Sequence, residues 1–151
     1  MFGRDNGGFD AFVGNPPFMG GQKITGTMGT AYREFLVEHI AGGMRGSADF
    51  VAYFFLRVFS LLSDRGLFGL IAVNTIAEGD TREVGLDQVV GSGFEIRVAV
   101  KSRDWPSKYA NVRYSVVVTS GTSTSATGLR VLGSVPITDS DVSISTDLTL
   151  S

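Results

Sequence analysis

Apolar residues fall along this chain in runs of two kinds. Phe9-Asp10-Ala11-Phe12-Val13 is nearly continuous in apolar character after Asp10 and stops at Gly14. That pattern predicts a strand covered on both faces. Asn15-Pro16-Pro17-Phe18 comes at once, and two prolines cannot continue a central strand, so the chain leaves the sheet at Asn15. Residues 19–29 hold Gly20, Gly21, Gly26 and Gly29 and predict a flexible stretch. Thr30 caps a predicted short helix through Ile40, with Phe35, Leu36 and Ile40 on one face and Gly42-Gly43 ending it. Ser47 is the predicted cap of the main helix, with Asp49 in its first turn. That helix runs to about Ser63, carries a wide stripe of Val51, Phe54, Phe55, Val58, Phe59 and Leu62, and ends before Gly66.

Leu67 to Val73 predicts a second buried strand, ending at Asn74-Thr75, and strand–helix–strand in this order predicts a parallel crossover. Asp80 caps a further predicted helix to about Val90, broken at Gly91 and Gly93. Phe94 to Lys101 alternates cleanly, and Val112 to Thr119 is again rich in strand formers. The loop between them is too short for a crossover helix, so this pair is expected to be antiparallel. From Ser120 the composition turns to serine and threonine, a linker. Leu129–Leu132 and Val142–Ile144 then look like short strands without partners.

Composition narrows the classes. The 151 residues are 43% hydrophobic and 19% charged, enough for one compact domain. The net charge of −2 lacks the basic balance usual in a free-standing nucleic-acid-binding domain, so any such contact must come from a local patch. With no cysteine and one histidine, disulfides, thiol catalysis and a structural zinc site are not expected. No secretory signal is visible at the start, and the longest apolar run, Phe50 to Leu62, is interrupted by Arg57 and falls short of the ~20 residues of a membrane span. The expectation is a cytoplasmic protein.

The chemistry concentrates at residues 15–18. Open α/β sheets bind ligands outside the carboxyl ends of their strands, where this tetrapeptide falls. An exocyclic adenine amine is a poor nucleophile because its lone pair is delocalised into the ring. Two acceptors aimed at its hydrogens draw it toward tetrahedral geometry and stabilise the positive charge that develops. The Asn15 side-chain oxygen supplies one acceptor and the Pro16 carbonyl the other, with Pro17 holding Pro16 extended. Phe18 offers a flat face on which a base stacks. Such a site works by positioning and fixed dipoles. The plainer alternative is a Pro-Pro pair that only terminates a strand, with Phe18 in the core.

Phe9 to Phe18 resembles the catalytic segment of N6-adenine-specific DNA methyltransferases of the Asn-Pro-Pro-Phe type. Gly20-Gly21-Gln22-Lys23, Tyr32-Arg33-Glu34 and the run from Gly46 to Phe54 are similar to the large single-chain methylases of restriction–modification and phage-defence systems, which carry a C-terminal target-recognition domain. Ala99 to Pro106 with Asn111-Val112 resembles the hairpin near the end of their catalytic domain. The likeness covers about residues 9 to 120. It implies an α/β fold, the C-terminal half of a Rossmann-like S-adenosylmethionine-dependent methyltransferase sheet, with parallel strands ending in an antiparallel hairpin. It implies a partial catalytic domain at 1–120, a linker at 121–128 and the start of a target-recognition domain at 129–151. It gives Asn15, Pro16, Pro17 and Phe18 the catalytic roles just derived, with S-adenosylmethionine as cofactor and duplex DNA as partner. The family's glycine-rich cofactor turn has no counterpart before Phe9, so the main cofactor site is expected upstream, in a missing N-terminal half.

Other residues have two readings each. Lys23 and Arg45 flank the same mouth and either contact phosphates or are solvated surface charges. Lys101, Arg103, Lys108 and Arg113 surround Trp105, so this loop either holds a DNA backbone or only pins a turn. Gly20 to Gly29 is either a mobile lid or a surface loop. His39 reads as a surface residue, and Asn74 as a residue that either lines the pocket or only ends its strand. Two rival functions stand beside DNA adenine methylation: an amide or guanine-amine methyltransferase acting on protein or RNA, and a non-catalytic remnant or partner-binding fragment.

Overall fold

The computed structural model describes residues 7–104, 113–121, 130–132 and 135–137, with side chains over 7–100. The first strand, β1 (Phe9–Gly14), leads through residues 15–20 into α1 (Gly21–Met28) and α2 (Thr30–Phe35), which continues as a π-helical turn over Leu36–Ile40. Then come α3 (Phe50–Leu61), β2 (Leu62–Val73) and a 3₁₀ turn at Asn74–Ala77. A broken helical stretch is next: α4 (Gly79–Thr81), a π turn at Arg82–Leu86 and α5 (Asp87–Gly91). The strands β3 (Phe94–Asp104), β4 (Arg113–Gly121), β5 (Arg130–Leu132) and β6 (Val135–Ile137) complete one sheet of order β1-β2-β4-β3-β5-β6.

β1 and β2 are parallel, with Gly14 opposite Leu70, as the crossover pattern predicts. The hairpin of β3 and β4 is antiparallel, also as predicted. Its place in the sheet is not predicted: β4 inserts between β2 and β3, antiparallel to both. β1, β2 and β3 therefore point the same way and end at one edge of the sheet.

The core lies between α3, β2 and the 82–91 stretch. Val51, Ala52, Phe55 and Leu56 of α3 meet Phe68, Leu70 and Ala72 of β2, and Val84, Leu86 and Val89 close the cluster. Alternate residues of β2 face this core, and Leu67 on the other face is 41% exposed. Phe55 and Phe68 are both 0% exposed, and burying each stabilises the fold by roughly 1.5–3 kcal/mol.

Several local expectations need correction. Residues 21–28 are helical despite their glycines, because Ile24 is fully buried and anchors that helix. Asp49, not Ser47, caps α3: its carboxylate accepts the Val51 N–H at 3.0 Å. No gap separates α3 from β2, and Gly66 lies inside β2, where the pairing jumps from Phe9↔Leu62 to Ala11↔Leu67. Glu78, not Asp80, holds the cap position before α4. β1 is not covered on both faces: among the described residues it pairs only with β2, and Phe9 and Val13 are 45% and 89% exposed. Arg130–Leu132 is not partnerless, since β5 lies parallel to β3 with Leu132 opposite Ala99. Val142–Ile144 lies outside the described residues.

Candidate functional site

β1 delivers the chain to the sheet edge at Gly14, and residues 15–20 leave it without regular structure. Asn15 is exposed, Pro16 buried, Pro17 exposed and Phe18 half-buried. The corner is thus pinned at Pro16 while Asn15 reaches solvent. Met19 packs against the described core cluster, of which Phe18 is not a member.

Met19, directly after the corner, is held from two sides. Its N–H donates to the Asp49 carboxylate at 3.4 Å, and its carbonyl accepts the Phe50 N–H at 2.8 Å. The Asp49 N–H in turn donates to the Thr81 hydroxyl at 3.0 Å, and the Ser47 N–H donates to the Asp80 carboxylate. Gly21 is buried directly on the 47–48 backbone. Residues 46–50 therefore lie clamped between the start of α1 and the start of the 79–91 helical stretch. Sequence reasoning gave Asp49 only a favourable place in a first helical turn; its contact with Met19 spans 30 positions and leaves no local signature.

The other candidate residues divide. Lys23 sits exposed on α1. Arg45 makes a two-pronged pair with Glu34, at 3.0 and 2.6 Å, and this hydrogen-bonded guanidinium holds the Glu34 carboxyl below its usual range. Asn74, partly buried, opens the 3₁₀ turn after β2, at the same sheet edge as Asn15. Lys101 and Arg103 belong to the last turns of pairing in β3, with Arg103 opposite Tyr114, itself opposite Val73. β3 thus rises to that same edge, three strand spacings from β1, or roughly 14 Å. Trp105, Lys108 and Asn111 lie outside the described residues.

A cavity of about 350 Å³ opens on a different set of residues, Tyr32, Phe35, Phe50 and Phe54 among them, with His39 and Arg57 also lining it. None of residues 15–18 lines it. His39 is exposed, as expected, and stacks obliquely on Phe35 at 5.0 Å. Tyr53 also lines the cavity, and Arg33 donates to its hydroxyl and to the Gly46 carbonyl. Burial raises the Tyr53 phenol above its ordinary range, and the neighbouring Arg33 charge opposes that shift.

No helix among the described residues is long and apolar enough to cross a membrane. The same residues contain no cluster of three or more His, Cys, Asp or Glu groups suited to a metal ion.

Parallel strands β1, β2 and β3 with β4 inserted antiparallel, and a site at their common edge, define an α/β fold resembling the S-adenosylmethionine-dependent methyltransferases. The Type IIL restriction–modification enzyme MmeI, solved in complex with DNA, shares it at a TM-score of 0.65 and 17% identity, over 84% of this chain and 18% of that one. A protein assigned to the class I S-adenosylmethionine-dependent methyltransferases, from Listeria monocytogenes, matches at 0.58 and 9% identity, over 84% of this chain and 36% of that one. The methyltransferase subunit of a type I restriction–modification system from Streptococcus thermophilus matches at 0.51 and 11% identity, over 85% and 26%. The chain thus spans 18–36% of the length of these proteins. No curated protein matches it. Residues 1–90 match the sequence model of the Eco57I restriction–modification methylases, and the chain belongs to that family.

The fold implies S-adenosylmethionine, and the described residues meet only part of what that molecule needs. They place β1 at the end of the described sheet and a polar corner at Asn15. They contain no glycine-rich turn with a following acid at the end of a strand that would take its amino-acid and ribose groups. By themselves they do not form its site.

Proposed function

We propose that this chain is the base-binding part of a DNA methyltransferase that modifies adenine at N6 after turning the base out of the duplex. The observation that carries the reading is an exposed Asn15 followed by a buried Pro16 and a half-buried Phe18, at the carboxyl end of a parallel strand. Asn15 accepts one amino hydrogen of the base through its side-chain oxygen, and the Pro16 carbonyl accepts the other. The amine becomes more tetrahedral, and the growing positive charge on nitrogen is met by fixed dipoles. Phe18 stacks on the ring of the extruded base. In this reading S-adenosylmethionine supplies the methyl group and is held by residues outside those described.

Duplex DNA is the proposed partner. MmeI, whose fold the chain shares, was solved in complex with DNA. Lys101, Arg103, Trp105 and Lys108 would meet the backbone or the gap left by the base, and Lys23 would meet a phosphate near the corner. Phe18, in place of the tyrosine common in glutamine-modifying relatives, favours a nucleobase over a protein amide.

The test is Asn15→Ala in the complete protein, assayed for methyl transfer to DNA, RNA and protein in parallel. We expect transfer to DNA adenine by the parent protein and a loss of at least about a hundredfold in the variant, with an unchanged circular dichroism spectrum. A variant that keeps most of its activity removes the acceptor role. Transfer to protein or RNA instead of DNA removes the substrate assignment.

A further inference from the structure

We infer that Asp49 is a positioning residue for the Asn15–Phe18 corner, and that its effect on methyl transfer is separate from its part in starting α3. The inference rests on the acceptor role proposed for Asn15 and Pro16.

One carboxylate oxygen of Asp49 serves two donors: the Val51 N–H at 3.0 Å, which begins α3, and the Met19 N–H at 3.4 Å. Met19 is the next residue after Phe18, so this bond fixes the neighbour of the corner. The Phe50 N–H closes the same link from the other direction, through the Met19 carbonyl at 2.8 Å. Asp49 is itself held, 8% exposed, by the bond from its N–H to Thr81. A line of main-chain and carboxylate contacts thus runs from Thr81 through Asp49 to Met19 and ends at the residues proposed to grip the base. Burial of Pro16 pins the corner on one side; beyond it, β1 ends at Gly14, Asn15 and Pro17 are exposed, and Pro16 has no N–H to donate. Catalysis by two aimed acceptors tolerates little error, since a misplacement of about 1 Å costs on the order of a hundredfold. A tether one residue from the acceptors therefore acts on turnover.

Three substitutions in the complete protein separate this role from capping. Asp49→Asn keeps an oxygen of the same reach for both donors. Asp49→Ser keeps a good helix cap, but its hydroxyl is one bond closer to the backbone and does not span to Met19. Asp49→Ala removes both bonds. With saturating DNA, Asp49→Asn should hold kcat within about threefold of the parent, while Asp49→Ser should lose about tenfold or more with an unchanged KM for S-adenosylmethionine. Amide hydrogen exchange, followed well below the melting point of every variant, should rise over residues 18–20 in Asp49→Ser and stay unchanged over 51–61. In Asp49→Ala it should rise over both. Equal kcat for Asp49→Ser and Asp49→Asn would overturn the inference. So would an equal fall in both, or faster exchange in Asp49→Ser spread evenly over the two segments. If the parent protein shows no adenine methylation, the functional reading falls, and the exchange pattern alone decides whether Asp49 holds the corner.

Discussion

Phe55 of α3 and Phe68 of β2 meet edge to face, with ring centroids 5.4 Å apart and planes at 83°. Both rings are fully buried, and this contact fastens the main helix to the strand beside β1. Truncating either ring to alanine should destabilise the protein by about 3–5 kcal/mol. A double-mutant cycle in urea should return a coupling of about 0.5–1.5 kcal/mol. Strictly additive losses would show that the two rings do not interact as their geometry indicates.

Two glycines in α1 should respond oppositely to alanine. A Cβ on Gly21 would come within 2.6 Å of the Ser47 and Ala48 backbone, whereas a Cβ on Gly26 would meet nothing within 4 Å. Gly26→Ala should raise stability by about 0.5–1 kcal/mol, because alanine costs less entropy in a helix. Gly21→Ala should lower the melting temperature and weaken methyl transfer, since it forces α1 away from the 47–49 segment. Melting curves of the two variants, side by side, check both signs.

Phe18→Ala should reduce kcat/KM on DNA by roughly 5- to 150-fold, the equivalent of about 1–3 kcal/mol of base stacking. Phe18→Tyr keeps the flat face and should retain most activity. Phe18 is partly exposed and stands outside the described core cluster, so neither change should unfold the protein. A loss of activity in step with a loss of melting temperature would instead mark Phe18 as structural.

Tyr53 gives an alkaline signature. Its phenol titrates above the ordinary range in the folded chain, chiefly because it is buried, and near about 10 when unfolded. The folded state therefore keeps its proton to higher pH. Stability from this group is complete below pH of about 10 and falls as pH rises through the folded value. Tyr53→Phe should flatten that fall while costing about 1–3 kcal/mol at neutral pH, because Arg33 loses an acceptor. Urea midpoints measured from pH 8 to 11 would decide; an identical alkaline slope in both proteins argues against the assignment.

Much of this fold is legible in the residues, and the reasons differ by element. β1 shows because Pro16-Pro17 must end it, and α3 because its apolar stripe repeats at helical spacing over twelve residues. The β3–β4 hairpin shows because its loop is too short for anything else. The insertion of β4 between β2 and β3 is not legible, since a hairpin sets only the direction of its own pair and not its neighbour. The helix at 21–28 is masked by glycines whose cost is offset by packing, with Gly21 against residues 47–48 and Ile24 in the core. At the candidate site, Asn15 to Phe18 stand out as a local motif. Asp49 and Thr81 do not, because contacts over 30 and 32 positions depend on the finished fold.

β1 is the outermost strand of the described sheet, and its last pairing, Gly14 with Leu70, comes directly before Asn15. Main-chain hydrogen bonds would fix the direction and spacing of a polypeptide laid along that margin, but they repeat along the strand and do not fix its register. A slip of one residue would move it about 3.3 Å and turn each of its side chains to the opposite face. Alignment between such a strand and the Asn15–Phe18 corner would therefore rest on which of its side chains find burial.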